Sequence, residues 1–189
     1  MKGAVMKDSI KMSVPEIKKA LKSYDPETLI SIILDCYKMS KETKNYIHVL
    51  LKPEEAIAAL YDESKQIIEE EFFPQRGYAK LRLARAKKAI SDFKKLSNDE
   101  ILTIDLMIYY VEQGVDFTNA YGDISEPFYN SMVSMYANVL RMINGNELLF
   151  LKLKKRLERI VTKTSGIGWG FHDDLAYLYT ELEAEFQHQ

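Results

Sequence analysis

The segment Ser97–Tyr121, SNDEILTIDLMIYYVEQGVDFTNAY, predicts a long helix and sets the expected fold class. Its apolar residues recur at spacings of three and four, on two stripes rather than one. The first stripe contains Ile101, Ile104, Ile108, Val111 and Val115, and the second contains Leu106, Tyr110, Phe117 and Tyr121. Each apolar stripe needs a neighbouring helix to cover it, so we expect this helix to be buried on both sides in an all-α protein.

Helix-start signals and apolar periodicity recur along the rest of the chain and predict eight or nine antiparallel helices. They are expected to form a helical bundle or a short α–α superhelical stack. The predicted helices cover residues 14–23, 26–39, 41–51, 53–72, 79–96, 98–121, 126–143, 147–164 and 171–187. We expect residues 13–189 to form a single helical domain, with 13–51 as a candidate small helical subdomain. Residues 1–12 are expected to be a flexible N-terminal extension.

The composition narrows the classes of function. The chain has 189 residues, of which 29% are charged, and its net charge is −2. Because non-specific nucleic-acid binding depends on a strong positive field, this balance argues against it. A single cysteine, Cys36, excludes an internal disulfide and a cysteine-based zinc site. The sequence shows no signal peptide and no membrane span, so we expect a cytoplasmic protein, and it indicates no cofactor and no metal.

Charge alternates in blocks along the chain. The net charges are +7 over residues 76–95, −7 over 99–126, +4 over 147–163 and −5 over 171–189. The simplest interpretation is that each basic helix packs beside an acidic one. In a second interpretation, helix 79–96 turns a basic face outward and binds anions. In a third, helices 79–96 and 147–163 bind nucleic acid, although few aromatic residues interleave with their charges.

A polar face separates the two apolar stripes of helix 98–121. It contains Asp105, Tyr109, Glu112, Asp116 and Asn119, at spacings of four and three residues. This spacing places three carboxylates and an amide on one narrow face of the helix. Three interpretations are open: a solvated edge, an internal partner for Arg82 or Arg85, and a carboxylate pair that serves acid–base chemistry or a hard cation.

Residues 164–175, TSGIGWGFHDDL, hold three of the eight glycines and the only tryptophan. Gly166 is predicted to end one helix, and Trp169 to plug the ends of adjacent helices. The glycine spacing fits neither a dinucleotide-binding motif nor a P-loop. His172 is interpreted as a capping or packing residue or as a proton carrier, and Asp173 lies in the first turn of the following helix.

Helix 126–143 contains three methionines and almost no charge. A neutral helix of this kind is typical of the centre of a bundle. The alternative is a methionine-lined groove that binds a partner helix.

Three segments are distinctive when taken together. They are FFPQRGYAKLRL (72–83), DFTNAYGD (116–123) with EPFYN (126–130), and SGIGWGFHD (165–173). With these segments the chain resembles an uncharacterised bacterial family of small all-helical proteins of unknown function. The resemblance implies an all-helical fold and no particular reaction.

The leading functional hypothesis from the sequence is a non-enzymatic binding or scaffold protein, because its catalytic constellations are incomplete. Its partner is unknown, and a protein or a small anion would fit. The alternative is an enzyme or small-anion sensor whose cleft is formed by segments 76–85, 112–123 and 166–174. The candidate binding residues are Arg76, Arg82, Arg85, Glu112, Asp116, Asn119, Asp123, Trp169, His172 and Asp173.

Overall fold

A computed structural model describes residues 12–187 of the chain, and these residues form nine α-helices and no strand. The helices are α1 (Val14–Leu21), α2 (Pro26–Met39), α3 (Lys41–Leu51), α4 (Pro53–Phe72), α5 (Leu83–Ser97), α6 (Glu100–Tyr121), α7 (Glu126–Ile143), α8 (Glu147–Lys163) and α9 (Phe171–Gln187). The all-α prediction is confirmed. Apart from Met12, the flexible extension expected over residues 1–12 lies outside the described residues. No helix in the described part of the chain is long and apolar enough to cross a membrane.

The chain divides into two compact units, one ending at His48 and the other beginning at Val49. The first unit contains α1, α2 and most of α3. The Asp25 side chain caps α2 by accepting a 2.8 Å hydrogen bond from the Thr28 amide. The Tyr37 hydroxyl lies 2.9 Å from Nε2 of His48 and links α2 to α3. None of the residues of α1, α2 and α3 is buried.

In the second unit, consecutive helices pair in antiparallel orientation. In α6 and α7, Thr118 bonds Tyr129 and the earlier Tyr110 bonds the later Ser131, so the two helices run in opposite directions. Likewise Phe150, near the start of α8, stacks on Phe186 near the end of α9. Three helix pairs result: α4 with α5, α6 with α7, and α8 with α9.

Helix α6 lies at the centre of the second unit, where it contacts α4, α5, α7 and α8. Both of its predicted apolar stripes are buried, except for Ile101 and Tyr121 at the two ends. Gly114 lets α7 approach closely, since a Cβ atom there would meet the Met132 side chain. Met132 and Met135 of α7 are themselves buried, which supports the interpretation of α7 as a central helix.

Candidate functional site

A buried carboxylate organises the corner between α4 and α5. Glu71 lies on the same face of α4 as the core residues Ile68 and Phe72, and its side chain is completely buried. It accepts hydrogen bonds from the Arg82 amide at 3.0 Å, Arg82 Nε at 3.1 Å, Arg82 Nη2 at 2.8 Å and Arg85 Nη1 at 2.6 Å. Burial raises the pKa of Glu71, but these bonds outweigh burial and lower it to about 2. Glu71 is therefore ionised at neutral pH and anchors two arginines.

This anchor changes where α5 begins. The sequence predicts a helix from residue 79, but the observed helix begins at Leu83. The Leu81 amide donates to the main-chain oxygen of Glu71 at 3.0 Å, and Leu81 has a positive φ of 49°. Because the Arg82 amide is bonded to the Glu71 carboxylate, residues 79–82 follow the end of α4 instead of starting the next helix.

A groove of about 420 Å³ opens at this corner. We call it the α4–α5 groove, and it is lined by Gln66, Glu69, Glu70, Phe73, Pro74, Gln75, Arg76, Tyr78, Lys80, Arg82 and Arg85. Arg82 and Arg85 are half-exposed here although Glu71 holds them. Tyr78 is 94% exposed. The groove therefore combines four cations, two exposed carboxylates and an accessible aromatic ring.

The polar face of α6 is directed towards α8. Arg156 of α8 bonds both carboxylate oxygens of Glu112, at 2.6 and 2.8 Å, and also bonds Asp105. Tyr61 of α4 donates a second hydrogen bond to Asp105. Burial lowers the pKa of Arg156, but its bonds to Glu112 and Asp105 outweigh burial and raise it above its ordinary value. The polar face is thus a partly buried ion-pair network between helices.

The last turns of α6 and α8 continue this network. Lys163 bonds the Asp116 carboxylate at 2.5 Å, and the Asn119 side-chain amide donates to the Lys163 main-chain oxygen at 2.9 Å. A second groove of about 220 Å³ lies along this contact, and we call it the α6–α8 groove. Its lining residues are Tyr109, Glu112, Gln113, Val115, Asp116, Arg159, Ile160 and Lys163.

Two interpretations of this polar face do not hold for its central residues. Asp105 and Glu112 are not a solvated edge, because both bond Arg156 and are mostly covered, whereas Asn119 at the end of the face is exposed. Nor does this face pair with Arg82 or Arg85, because both of these bond Glu71 of α4. The prediction that basic and acidic helices pack together is confirmed for α8, which pairs with α6 and, through Lys154 and Glu183, with α9.

The three distinctive segments meet at one end of the second unit, through a chain of aromatic rings. Phe73 lies 5.7 Å from Phe117 between ring centroids, and Phe117 lies 6.3 Å from Phe128. Tyr129 then lies 4.8 Å from Phe171, at the start of α9. Phe128 and Tyr129 are adjacent, with ring centroids 5.5 Å apart, so the rings join segments 72–83, 116–130 and 165–173.

The loop before α9 differs from the prediction for its tryptophan. Trp169 is 63% exposed and has a positive φ of 64°, so it does not plug the helix ends. Phe171, two residues further along, is completely buried and packs against Tyr129. Nδ1 of His172 lies 3.1 Å from the Thr164 hydroxyl and 3.2 Å from the Val161 main-chain oxygen. His172 thereby ties the start of α9 to the end of α8, as a capping residue would.

The candidate residues fall into separate groups. Arg76, Arg82 and Arg85 share the α4–α5 groove, whereas Glu112 and Asp116 line the α6–α8 groove. Asn119 bonds Lys163 beside the second group. The linings of the two grooves include none of Asp123, Trp169, His172 and Asp173. Asp123 accepts a 3.2 Å hydrogen bond from the Tyr129 hydroxyl, and Asp173 is exposed.

Sequence reasoning missed two central residues, Glu71 and Arg156. Each has a recognisable signal, because each is a charged residue beside an apolar helical stripe. Glu71 follows Ile68 by three residues, and Arg156 precedes Ile160 by four. A charged residue on a core-facing stripe needs an ionic partner, and this requirement could have identified both.

The comparisons with known proteins assign no activity to the chain. The model of a family of unknown function, DUF6155, matches residues 12–183. No curated protein and no solved structure matches the chain. The chain therefore belongs to the DUF6155 family.

Proposed function

We propose that this protein is a non-enzymatic binding protein and that the apolar faces of α1 and α2 are its docking surface for another protein. One observation supports the proposal most directly: the two helices bury none of their residues. Along α2, Ile30, Ile33 and Leu34 are 56%, 49% and 50% exposed. They occupy positions i, i+3 and i+4, so they form one stripe.

The exposed apolar area is large for such a short segment. In α1, Val14 and Ile17 are also exposed, and Met39 ends α2 with an exposed side chain. Soluble monomers rarely expose contiguous apolar patches beyond a few hundred Å² without a functional reason. Since fully burying an aliphatic side chain contributes about 1.5–3 kcal/mol, covering a half-exposed one contributes about 1 kcal/mol.

We propose that the first occupant of this surface is a second copy of the same chain. Basic residues dominate the end of α1, where Lys18, Lys19 and Lys22 lie. Acidic residues dominate α2, where Asp25, Glu27 and Asp35 face a single lysine, Lys38. A twofold axis would place α1 of each copy against α2 of the other, so that these charges attract. Both copies would also contribute apolar area, which helps to offset the association cost of about 4–15 kcal/mol.

The state of the other candidate residues supports a binding role over a catalytic one. Glu112 and Asp116 are engaged by Arg156 and Lys163, and His172 by Thr164. Robust turnover in a broad hydrolase and transferase screen, lost in His172→Ala, would overturn the non-enzymatic proposal.

The test of docking is analytical ultracentrifugation of the full chain across a range of concentrations. We expect a monomer–dimer equilibrium that Ile33→Glu weakens at least tenfold, because a buried unpaired carboxylate opposes association. The matched control is Leu148→Glu, which places the same charge on an exposed leucine of α8. Neither variant removes a buried side chain, so both should fold.

The single cysteine provides a second readout. Cys36 is exposed on α2, and a nitroxide attached to it should give a dipolar signal between the two copies. That signal should disappear in Ile33→Glu and persist in Leu148→Glu. A wild-type chain that stays monomeric at every concentration, or two variants that behave alike, would refute docking through α2.

A further inference from the structure

We infer that the α4–α5 groove binds a small molecule that carries a phosphate group. The site is independent of the docking surface proposed for α1 and α2, since it lies entirely among residues 66–85. The argument rests on the arrangement of its four cations, on the groove's size and on its exposed ring.

Two of the cations, Arg82 and Arg85, are held in place by the buried carboxylate of Glu71. Glu71 bonds Nε and Nη2 of Arg82 and Nη1 of Arg85, and this leaves Arg82 Nη1 and Arg85 Nε without a partner among the described residues. Each guanidinium is therefore fixed along one edge and half-exposed on another. Arginines with a fixed orientation lose less conformational entropy on binding an anion, and their planar N–H groups match phosphate oxygens.

The other two cations have no such anchor. Arg76 and Lys80 are exposed and form no ion pair with a described residue. By contrast, the two exposed carboxylates of the lining already have partners. Oε2 of Glu70 lies 3.5 Å from Nη2 of Arg85. The Glu69 carboxylate accepts a 3.4 Å hydrogen bond from the Tyr109 hydroxyl. With Glu71 included, four cations meet three carboxylates, which leaves a net charge of +1. Arg76 and Lys80 carry no ion pair within residues 12–187, whereas Glu69 keeps its negative charge because its partner is a neutral phenol.

The groove also has room for more than an inorganic ion. Its volume of about 420 Å³ lies within the usual range for small-ligand sites, about 300–1,000 Å³. Tyr78 is almost fully exposed and has no ring contact with a described residue. Beside it, Phe73 and Pro74 contribute an apolar wall. A planar ring attached to the phosphate could therefore stack on Tyr78.

The test is isothermal titration calorimetry of the full chain with two probes, inorganic pyrophosphate and adenosine diphosphate. We expect both probes to bind. The double variant Arg76→Gln/Lys80→Gln should lower the affinity for each probe at least tenfold. The matched control is Lys87→Gln/Lys94→Gln, which removes two exposed charges of α5 outside the lining and should keep wild-type affinity. All four residues are exposed, and unchanged circular dichroism spectra would confirm that the variants fold.

The variant Tyr78→Ala distinguishes a phosphate ligand that carries a planar ring from a free inorganic anion. If a ligand ring stacks on Tyr78, this variant lowers the affinity for adenosine diphosphate and leaves the affinity for pyrophosphate unchanged. That result supports a ligand with a planar group. Equal wild-type affinities and no effect of Tyr78→Ala would support a free inorganic anion at the same site. Absence of binding by either probe, or equal losses in the two double variants, would overturn the inference.

Discussion

Replacing Glu71 with glutamine tests whether one buried carboxylate holds the corner between α4 and α5. The amide keeps the size of the side chain but removes its charge. Arg82 and Arg85 would then lose their ionic partner, and the Arg82 amide would lose its bond to a carboxylate oxygen. We therefore expect the variant to fold with reduced stability and a loosened segment 73–82.

The pKa of Glu71 provides the magnitude. It lies at about 2 in the folded chain, against an ordinary value of 4.5. At 1.36 kcal/mol per pKa unit, this depression corresponds to about 3 kcal/mol of stability. Because the folded-state pKa is the lower one, this contribution is complete above the unfolded pKa and is lost as the pH falls from about 5 towards 2. Glu71→Gln should therefore be about 3 kcal/mol less stable at pH 7, and the difference should shrink at low pH.

Urea denaturation followed by far-ultraviolet circular dichroism, at several pH values, measures this difference. The control is Glu70→Gln, which alters the neighbouring half-exposed glutamate and should cost less than about 1 kcal/mol. Two outcomes would refute the reasoning: a loss at pH 7 no greater than that of the control, or a loss that does not change with pH.

Two further predictions concern the core of the second unit. Gly114→Ala should fail to gain the roughly 1 kcal/mol that this change normally adds within a helix, because the new Cβ would crowd Met132. Urea denaturation checks it, and the full gain of about 1 kcal/mol would contradict the observed approach of α7. Burial raises the pKa of Tyr109 and of Tyr110 to about 12. Absorbance titration should show both phenols neutral at about pH 11, and their contribution to stability should decline as the pH rises from about 10 to 12.

The nine helices of residues 12–187 could be predicted because apolar periodicity is a local property of the sequence. The partners of the charged residues could not, because they depend on which helices become neighbours. The polar face of α6 illustrates the difference. Spacing along the sequence predicts that its residues share one face of the helix, but only the packing of α8 against α6 reveals Arg156 and Lys163 as their partners.

The start of α5 and the position of Trp169 show a second limit of prediction from the sequence. Periodicity extends α5 back to residue 79, but the contact of Arg82 with Glu71 holds those residues against α4. In the loop before α9, Trp169 and Phe171 are both large and aromatic. The composition alone does not decide which of them turns inward. The backbone decides it, since positive φ angles at Gly166, Trp169 and Gly170 turn the chain so that Phe171 enters the core.

The segment 72–83 contains residues of two kinds, and the difference indicates where its function lies. Phe73 belongs to the aromatic chain, and Arg82 is bonded to Glu71, so packing explains both. Arg76, Tyr78 and Lys80 are exposed and have no bond or ring contact with a described residue. Nothing in the packing of the second unit requires those three side chains. If the segment is distinctive because it folds the corner, replacing them should have no consequence; if it binds phosphate, these are the residues whose loss should remove binding while leaving stability unchanged.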